Sequence, residues 1–312
     1  MITNPIVPIW IMGLVCIIFM VIKSKDRYSL IRKIIIMALL FIINLRMMIP
    51  SDDVEVLTND LDVLFVIDNT ISMTAEDYDG GLERLIGVKE NCEYIIDELS
   101  GANFSVITFN NTSRIVTPYT KDINLTMEAI NTIQVMDEFY ARGSSLNIVI
   151  EDMLYSLEVS TKKPERTTIV FFISDGEITN EDTLQSFSDA KKHVDNGAVL
   201  GYGTKKGGRM ASTVSWEGPY MLDKTEYPFV EALSKIDENN LKQIAKDMGI
   251  DYIHMEKKSD IDYKIKQIKQ QMRRNMDDEG KSAYIDIYYI FVFPLCLLLI
   301  YEFINHKRRC AV

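Results

Sequence analysis

Two short apolar runs, each followed by an aspartate, constrain the fold of this 312-residue chain more than any other feature. Residues 63–67 (VLFVI) lead into Asp68, and residues 167–174 (TTIVFFIS) lead into Asp175. Short runs of apolar, β-branched and aromatic residues are typical of strands that are buried on both faces. Such strands belong to sheets that are covered by helices on both sides. The sequence therefore predicts an α/β domain.

Amphipathic helix patterns separate the predicted strands. The helix patterns cover residues 82–99, 125–135, 146–157, 184–194 and 237–248, and the strands are predicted at 62–67, 103–109, 114–116, 167–174, 198–202 and 252–255. Strands that alternate with helices predict a doubly wound, mostly parallel sheet. In such sheets, ligands bind beyond the carboxyl ends of the strands. Asp68 and Asp175 stand at such ends, and Ser144 lies on a loop just before a helix.

The turn after the first strand, residues 68–73 (DNTISM), combines three small oxygen-bearing side chains: Asp68, Thr70 and Ser72. Hard cations such as Mg²⁺ prefer oxygen ligands. The same residue types are also common in polar turns that bind nothing. The hexamer alone leaves both interpretations open, and sequence order does not establish that these groups meet Ser144 and Asp175.

Three motifs in order resemble the von Willebrand factor A (VWA) domain with a metal-ion-dependent adhesion site (MIDAS). Residues 68–72 match the family's Asp-x-Ser-x-Ser motif, with Thr70 in place of the first serine. Residues 143–146 (GSSL) match its Gly-Thr-x-Leu loop, with Ser144 in place of the threonine. Asp175 and Gly176 match its strand that ends in Asp-Gly. The resemblance implies a Rossmann-like VWA fold over residues 61–257.

The resemblance also implies which metal ion binds and which residues coordinate it. The metal is Mg²⁺, with Mn²⁺ or Ca²⁺ as alternatives. Three hydroxyls contact the metal directly and the two aspartates act mostly through waters, which leaves one position for a Glu or Asp of a protein partner. Ser145 is an alternative to Ser144 in this set, and Leu146, two residues after Ser144, favours Ser144. The implied metal residues are Asp68, Thr70, Ser72, Ser144 and Asp175.

Apolar runs at both ends of the chain predict three transmembrane helices, at residues 6–22, 34–49 and 284–304. Basic residues make the loop 23–33 and the tail 305–312 cytoplasmic by the positive-inside rule. The VWA segment, reached through a linker at 50–60, is then extracytoplasmic. A helical hairpin on the surface of a soluble protein is the alternative for the first two runs.

Charge and cysteine content limit what the segment 50–283 can bind. It carries 25 basic and 42 acidic side chains, a balance of −17. A segment this acidic is not a nucleic-acid binder, and it favours metal cations and basic partner surfaces. Only Cys92 of the four cysteines lies in it, so neither a disulfide nor a cysteine-based zinc site is expected there.

Four further stretches narrow the resemblance to the Bat-type (aerotolerance-like) membrane proteins: residues 72–77 (SMTAED), 82–85 (LERL), 118–122 (PYTKD) and 236–245 (IDENNLKQIA). The plan of two spans, a VWA domain and one span is similar as well. This resemblance implies a multi-pass protein of the bacterial cell membrane. It also implies sister VWA membrane proteins and a MoxR-type ATPase as further partners.

No catalytic constellation is visible, since none of the three histidines lies in a suitable motif. We therefore predict a binding protein, either one that captures a partner through the metal or a metal-independent scaffold of a membrane complex. The juxtamembrane helix predicted at 258–282 has a seam of Ile261, Ile265, Ile268 and Met272. This seam either docks on the domain or belongs to a stalk.

Overall fold

A computed structural model describes residues 2–21, 27–50, 60–141, 143–163, 166–214, 218–225, 227–278 and 284–310. The chain forms two compact units. The first combines Met1–Asp53 with Met276–Val312, and the second is Val54–Asn275. Parts of the predicted loop, linker, juxtamembrane segment and tail (residues 23–26, 51–59, 279–283 and 311–312) lie outside the described residues.

The secondary structure follows an alternation of strands and helices. The strands are β1 (Ile2–Thr3), β2 (Met47–Pro50), β3 (Leu61–Asp68), β4 (Glu76–Tyr78), β5 (Leu82–Glu83), β6 (Asn103–Phe109), β7 (Ser113–Thr120), β8 (Thr167–Ser174), β9 (Asn196–Tyr202), β10 (Gly208–Arg209), β11 (Leu222–Asp223), β12 (Val230–Glu231), β13 (Leu233–Ser234), β14 (Asp251–Met255) and β15 (Tyr284–Asp286). The α-helices are α1 (Ile9–Val21), α2 (Arg27–Asn44), α3 (Arg84–Glu98), α4 (Ile123–Asn131), α5 (Ile150–Thr161), α6 (Glu238–Met248), α7 (Asp262–Asp278) and α8 (Tyr289–Cys310).

The first unit differs from the predicted spans. Two of the apolar runs are partly strand, because β2 pairs with both β1 and β15 in an antiparallel sheet. These backbone groups bond across strands, so the second helix ends at Asn44 and the third begins at Tyr289. The described helices cover 9–21, 27–44 and 289–310, whereas the spans were predicted at 6–22, 34–49 and 284–304. Within the described residues, we find no helix with the length and apolar character needed to cross a membrane.

The second unit contains a six-stranded sheet in the order β14-β9-β8-β3-β6-β7. Its neighbours are parallel except for β6 and β7, which are antiparallel. The predicted doubly wound, mostly parallel α/β sheet is therefore confirmed. Strand β7 is longer than predicted and runs through Pro118. An edge strand tolerates proline because the missing N–H costs no ladder hydrogen bond.

Strand β3 supplies side chains to two cores on opposite faces of the sheet. Val63, Phe65 and Ile67 pack in one core together with residues of α3 and α7. Leu64 and Val66 pack in the other core together with residues of α5 and α6. This alternation follows from the two-residue period of a strand, and it makes β3 the centre of the unit.

The helix α7 packs on the second unit. All four seam residues (Ile261, Ile265, Ile268 and Met272) are buried in the first core. At its border, Lys269 Nζ lies 2.6 Å from a carboxylate oxygen of Glu98. Of the two alternatives for this segment, the structure shows docking. The seam is the last helix layer of the domain and not a free stalk.

The predicted helix at 184–194 was wrong. Only a short 3₁₀ helix forms, at Ser188–His193. Side chains replace the helical hydrogen bonds here, because the Asp247 carboxylate accepts from the amide of Phe187 at 2.9 Å and from the hydroxyl of Ser186 at 3.0 Å. Phe187 and Ala190 are nevertheless buried. The apolar spacing therefore identifies the residues that contact the core, although the backbone between them is not an α-helix.

Candidate metal centre

The predicted site residues lie at the point where the winding of the sheet reverses. From β3 the chain continues to β6 on one side, and it later returns as β8 on the other side. Asp68 is the last residue of β3, and Asp175 directly follows β8. A reversal of this kind opens a crevice at the carboxyl ends of the two strands, which is where open α/β sheets bind ligands.

Asp68 organises the turn that follows it. One carboxylate oxygen accepts hydrogen bonds from the amide of Thr70 at 2.9 Å and from its hydroxyl at 2.7 Å. The other oxygen accepts from the hydroxyl of Ser174 at 2.7 Å. The Thr70 hydroxyl also lies 2.9 Å from the hydroxyl of Ser72. The first motif is therefore one connected group of oxygens.

Ser144 faces the same cavity as Thr70 and Ser72, a space of about 340 Å³. Its hydroxyl donates to the carbonyl of Glu177 at 2.9 Å, and its amide donates to the Thr179 hydroxyl at 2.8 Å. Ser145 lines a neighbouring cavity instead. The structure thus brings three hydroxyls of the predicted set to one cavity and places Ser145 outside it.

Asp175 is held by an arginine that sequence reasoning missed. Its carboxylate accepts from the amide of Glu177 at 3.0 Å and from Nη1 of Arg84 at 2.9 Å. Arg84 is fully buried and forms a second ion pair with Asp77 at 2.7 Å. It also donates to the Ser234 hydroxyl at 2.6 Å. A fixed cation therefore lies beside one of the two predicted metal aspartates.

One signal in the sequence could have indicated this arginine. Arg84 lies four residues before Val88 and eleven before Ile95, on the helical stripe that faces the core. A charged residue on such a stripe is rarely buried without a partner of opposite charge. Nothing in the sequence indicates that the partners are Asp77 and Asp175.

The electrostatics of the site suit a bound cation. Burial, and then the nearby carboxylate of Asp175, raise the pKa of Asp68 to about 7. The hydrogen bonds from Ser174 and Thr70 act in the opposite direction and lower this pKa. Two buried carboxylates that repel each other behind three hydroxyls are the oxygen set that a hard divalent cation takes. Among the described residues, no cluster of three or more His, Cys, Asp or Glu side chains could hold a metal, so such a site depends on the hydroxyls. The residues of this cavity therefore fit a hard divalent cation.

Comparison with known proteins agrees with the motifs. Residues 63–177 match the family model of the von Willebrand factor type A domain. The chain contains a VWA domain. Its fold is shared with BatB from Bacteroides thetaiotaomicron (TM-score 0.55, 20% identity, 69% of this chain and 99% of that one). An aerotolerance-related membrane protein from Bacteroides fragilis shares the fold as well (TM-score 0.55, 19% identity, 68% of this chain and 99% of that one).

Curated proteins from mycobacteria are also similar to this chain. A UPF0353 protein of Mycobacterium avium is 25% identical over 240 residues, which are 73% of this chain and 65% of that protein. A UPF0353 protein of Mycobacterium sp. (strain KMS) is 28% identical over 233 residues, 72% and 64% of the two chains. The chain thus spans somewhat less than two thirds of the length of the relatives it matches.

Gly176 of the Asp-Gly motif is required by the backbone of the VWA domain. Its φ is +79°, and a Cβ placed there would lie 2.4 Å from the carbonyl oxygen of Asp237. We expect Gly176→Ala to lower the free energy of unfolding by at least about 2 kcal/mol, since left-handed strain and overlap add. Gly80→Ala is the matched control, because φ is +84° with no atom within 4 Å. Equal losses of unfolding free energy for both variants, measured by urea unfolding, would show that steric overlap with Asp237 adds nothing.

Proposed function

We propose that the VWA domain binds a divalent metal ion, Mg²⁺ in the first place and Mn²⁺ or Ca²⁺ as alternatives, and uses it to capture a protein partner. The observation that supports this most is the set of hydroxyls of Thr70, Ser72 and Ser144 facing one cavity, with Asp68 and Asp175 behind them. These five residues would hold the ion.

The bound ion would supply an electrophilic centre that attracts a carboxylate. A site with neutral hydroxyls nearest to the ion leaves more of its charge for a partner's Glu or Asp than a site with carboxylates would. Hydrogen bonds that involve a charged group contribute roughly 1.5–3 kcal/mol each, which suits reversible capture. The chain's own residues bind and orient, and we propose no reaction on the partner.

We further propose that the protein is a multi-pass protein of the cell membrane, with the VWA domain extracytoplasmic and the C-terminus cytoplasmic. Support comes from the apolar content of residues 6–22, 34–49 and 284–304 and from the basic residues in 23–33 and 307–309. Sister VWA proteins and a MoxR-type ATPase are proposed as further members of its complex. The structural relative from Bacteroides fragilis is itself described as a membrane protein.

Metal-dependent capture is tested by crosslinking and pull-down from membranes with Mg²⁺ or with EDTA. We expect EDTA and Ser144→Ala each to reduce the captured partner at least tenfold, since both remove part of the carboxylate site. Ser145→Ala is the matched control, because Ser145 lines a different cavity. Capture that survives both EDTA and Ser144→Ala rules out this function.

A metal-independent scaffold is the second candidate, and Arg84 is the observation that favours it. The guanidinium already neutralises part of the charge of Asp175 at 2.9 Å without any metal. In that case the VWA domain holds its sister proteins together through its surface. The same pull-down separates the two candidates, since a scaffold keeps its partners in EDTA.

A further inference from the structure

The cavity at the candidate metal centre has an apolar wall in addition to its hydroxyls. Three methionines and a leucine form this wall: Met136, Met210, Met221 and Leu233. Leu233 is 53% exposed, so the wall is open to solvent at its mouth. Methionine and leucine side chains offer no strong hydrogen bond to the waters of a hydrated ion, so this wall suits an apolar group better than it suits water.

Most of this wall comes from the segment 204–236, between β9 and α6. Strand β10 pairs with β13, and Met210 forms a bridge with Ala75, which follows the turn at residues 68–73. The amide of Met221 donates to the carbonyl of Met210 at 2.9 Å, and the amide of Ala232 donates to the carbonyl of Met221 at 2.8 Å. Backbone hydrogen bonds thus fix the wall against the turn that carries Thr70 and Ser72.

The charges at the cavity limit what can enter. Glu138 and Glu177 line it, and none of its described lining residues is a lysine or arginine. The Glu177 carboxylate accepts from the Ser234 hydroxyl and from the amide of Lys235, both at 2.8 Å. A ligand with two adjacent acidic groups would place one at the metal and the other against these glutamates. One carboxylate with an uncharged neighbour suits the cavity.

We propose that this cavity is a two-part peptide site. It takes one aspartate or glutamate of a partner protein at the metal and the aliphatic side chain of an adjacent residue against the methionine wall. The inference rests on the proposed function and adds the sequence preference of the partner. Methionine walls suit this role because flexible thioether side chains adapt to aliphatic groups of different shape. A volume of about 340 Å³ is at the lower end of ligand pockets, which suits one or two side chains.

The test uses short blocked peptides, the full-length chain and isothermal titration with Mg²⁺. The peptides are Gly-Leu-Asp-Leu-Gly, Gly-Ala-Asp-Ala-Gly and Gly-Leu-Asn-Leu-Gly. We expect the leucine–aspartate peptide to bind about tenfold more tightly than the alanine–aspartate peptide, since one leucine is partly buried. The asparagine peptide should show no Mg²⁺-dependent binding. In Met210→Ser/Met221→Ser the preference for leucine should disappear, while Mg²⁺ itself still binds.

The possible results distinguish a failure of the apolar subsite from a failure of metal-dependent capture. Equal, Mg²⁺-dependent binding of both aspartate peptides overturns the apolar subsite and leaves metal-dependent capture intact. If no aspartate peptide binds, or if EDTA changes nothing, the proposed function fails and the inference fails with it. Leu125→Ser is the control for loss of an apolar side chain, because Leu125 is 51% exposed on α4 and does not line the cavity. A loss of preference in this control also overturns the assignment to the methionine wall.

Discussion

Replacing Arg84 with methionine should lower the free energy of unfolding by about 3–5 kcal/mol, because two buried carboxylates lose their partner of opposite charge. Arg84 Nε lies 2.7 Å from Asp77 and Nη1 lies 2.9 Å from Asp175, and all three side chains are almost completely buried. Methionine keeps most of the side-chain volume, so the loss reports charge and hydrogen bonds more than packing. Urea unfolding of the full chain, followed by circular dichroism, measures it.

Lys242→Met is the matched control for Arg84→Met. Lys242 pairs with Glu238 one helical turn away on α6, and its side chain is 54% exposed. Exposed pairs of this kind contribute only about 0.3–0.5 kcal/mol. Arg84→Lys should lie between the two, since lysine keeps the charge but cannot bond Asp77 and Asp175 through one planar fork. A loss under 1 kcal/mol in Arg84→Met would show that this ion pair network is not essential to the fold.

Asp68→Asn should weaken Mg²⁺ binding about 10–100-fold while leaving the metal-free domain at least as stable as the wild type. The first effect is the usual cost of removing a group that orients metal ligands, and Asp68 holds the Thr70 hydroxyl at 2.7 Å. The second effect follows because the substitution removes one of two buried carboxylates that repel each other. Titration with Mg²⁺ measures the first effect and urea unfolding in EDTA measures the second.

Asp62→Asn tests whether the effect of Asp68→Asn is specific to its end of the strand. Asp62 is buried near the opposite end of β3, where it pairs with Arg166 and accepts from the hydroxyl of Ser160 at 2.9 Å. Its substitution should destabilise the fold and leave Mg²⁺ affinity unchanged. Equal weakening of Mg²⁺ binding by both variants would mean that the loss reflects general damage to the sheet.

The strands of the central sheet could be predicted from the sequence because burial on both faces leaves an uninterrupted apolar run. Residues 63–67 and 167–174 lie within β3 and β8, and the aspartates stand at their ends as expected. The helix at 184–194 could not be predicted correctly, since the side chain that competes for its backbone donors, Asp247, lies on a different helix. Periodicity reports which residues are buried, and it does not report the hydrogen bonds of the backbone between them.

The site itself was predictable only in part. Asp68, Thr70 and Ser72 are close in sequence, and their spacing places them on one turn. The sequence favours Ser144 over Ser145 only through Leu146, two residues after Ser144, and the contacts of Ser144 with Thr179 and Glu177 become visible only in the structure. The methionine wall has no sequence signal, because Met136, Met210 and Met221 come from segments without a regular pattern. Contacts between distant loops determine the chemistry of this cavity.

The dual role of β3 has a consequence for how this protein can change over evolutionary time. Inserting or deleting one residue within β3 would exchange the side chains that face the two cores and shift Asp68 by about 3.3 Å along the strand. Folding and the geometry of the turn at residues 68–73 would be lost together. The described residues of 204–236 lie outside the six-stranded sheet, so changes there leave its register intact, although Ser234 is bound to Arg84 and Ile236 is buried. Under the proposed function, substitutions in the methionine wall would change which partner is captured while β3 keeps Asp68 in place.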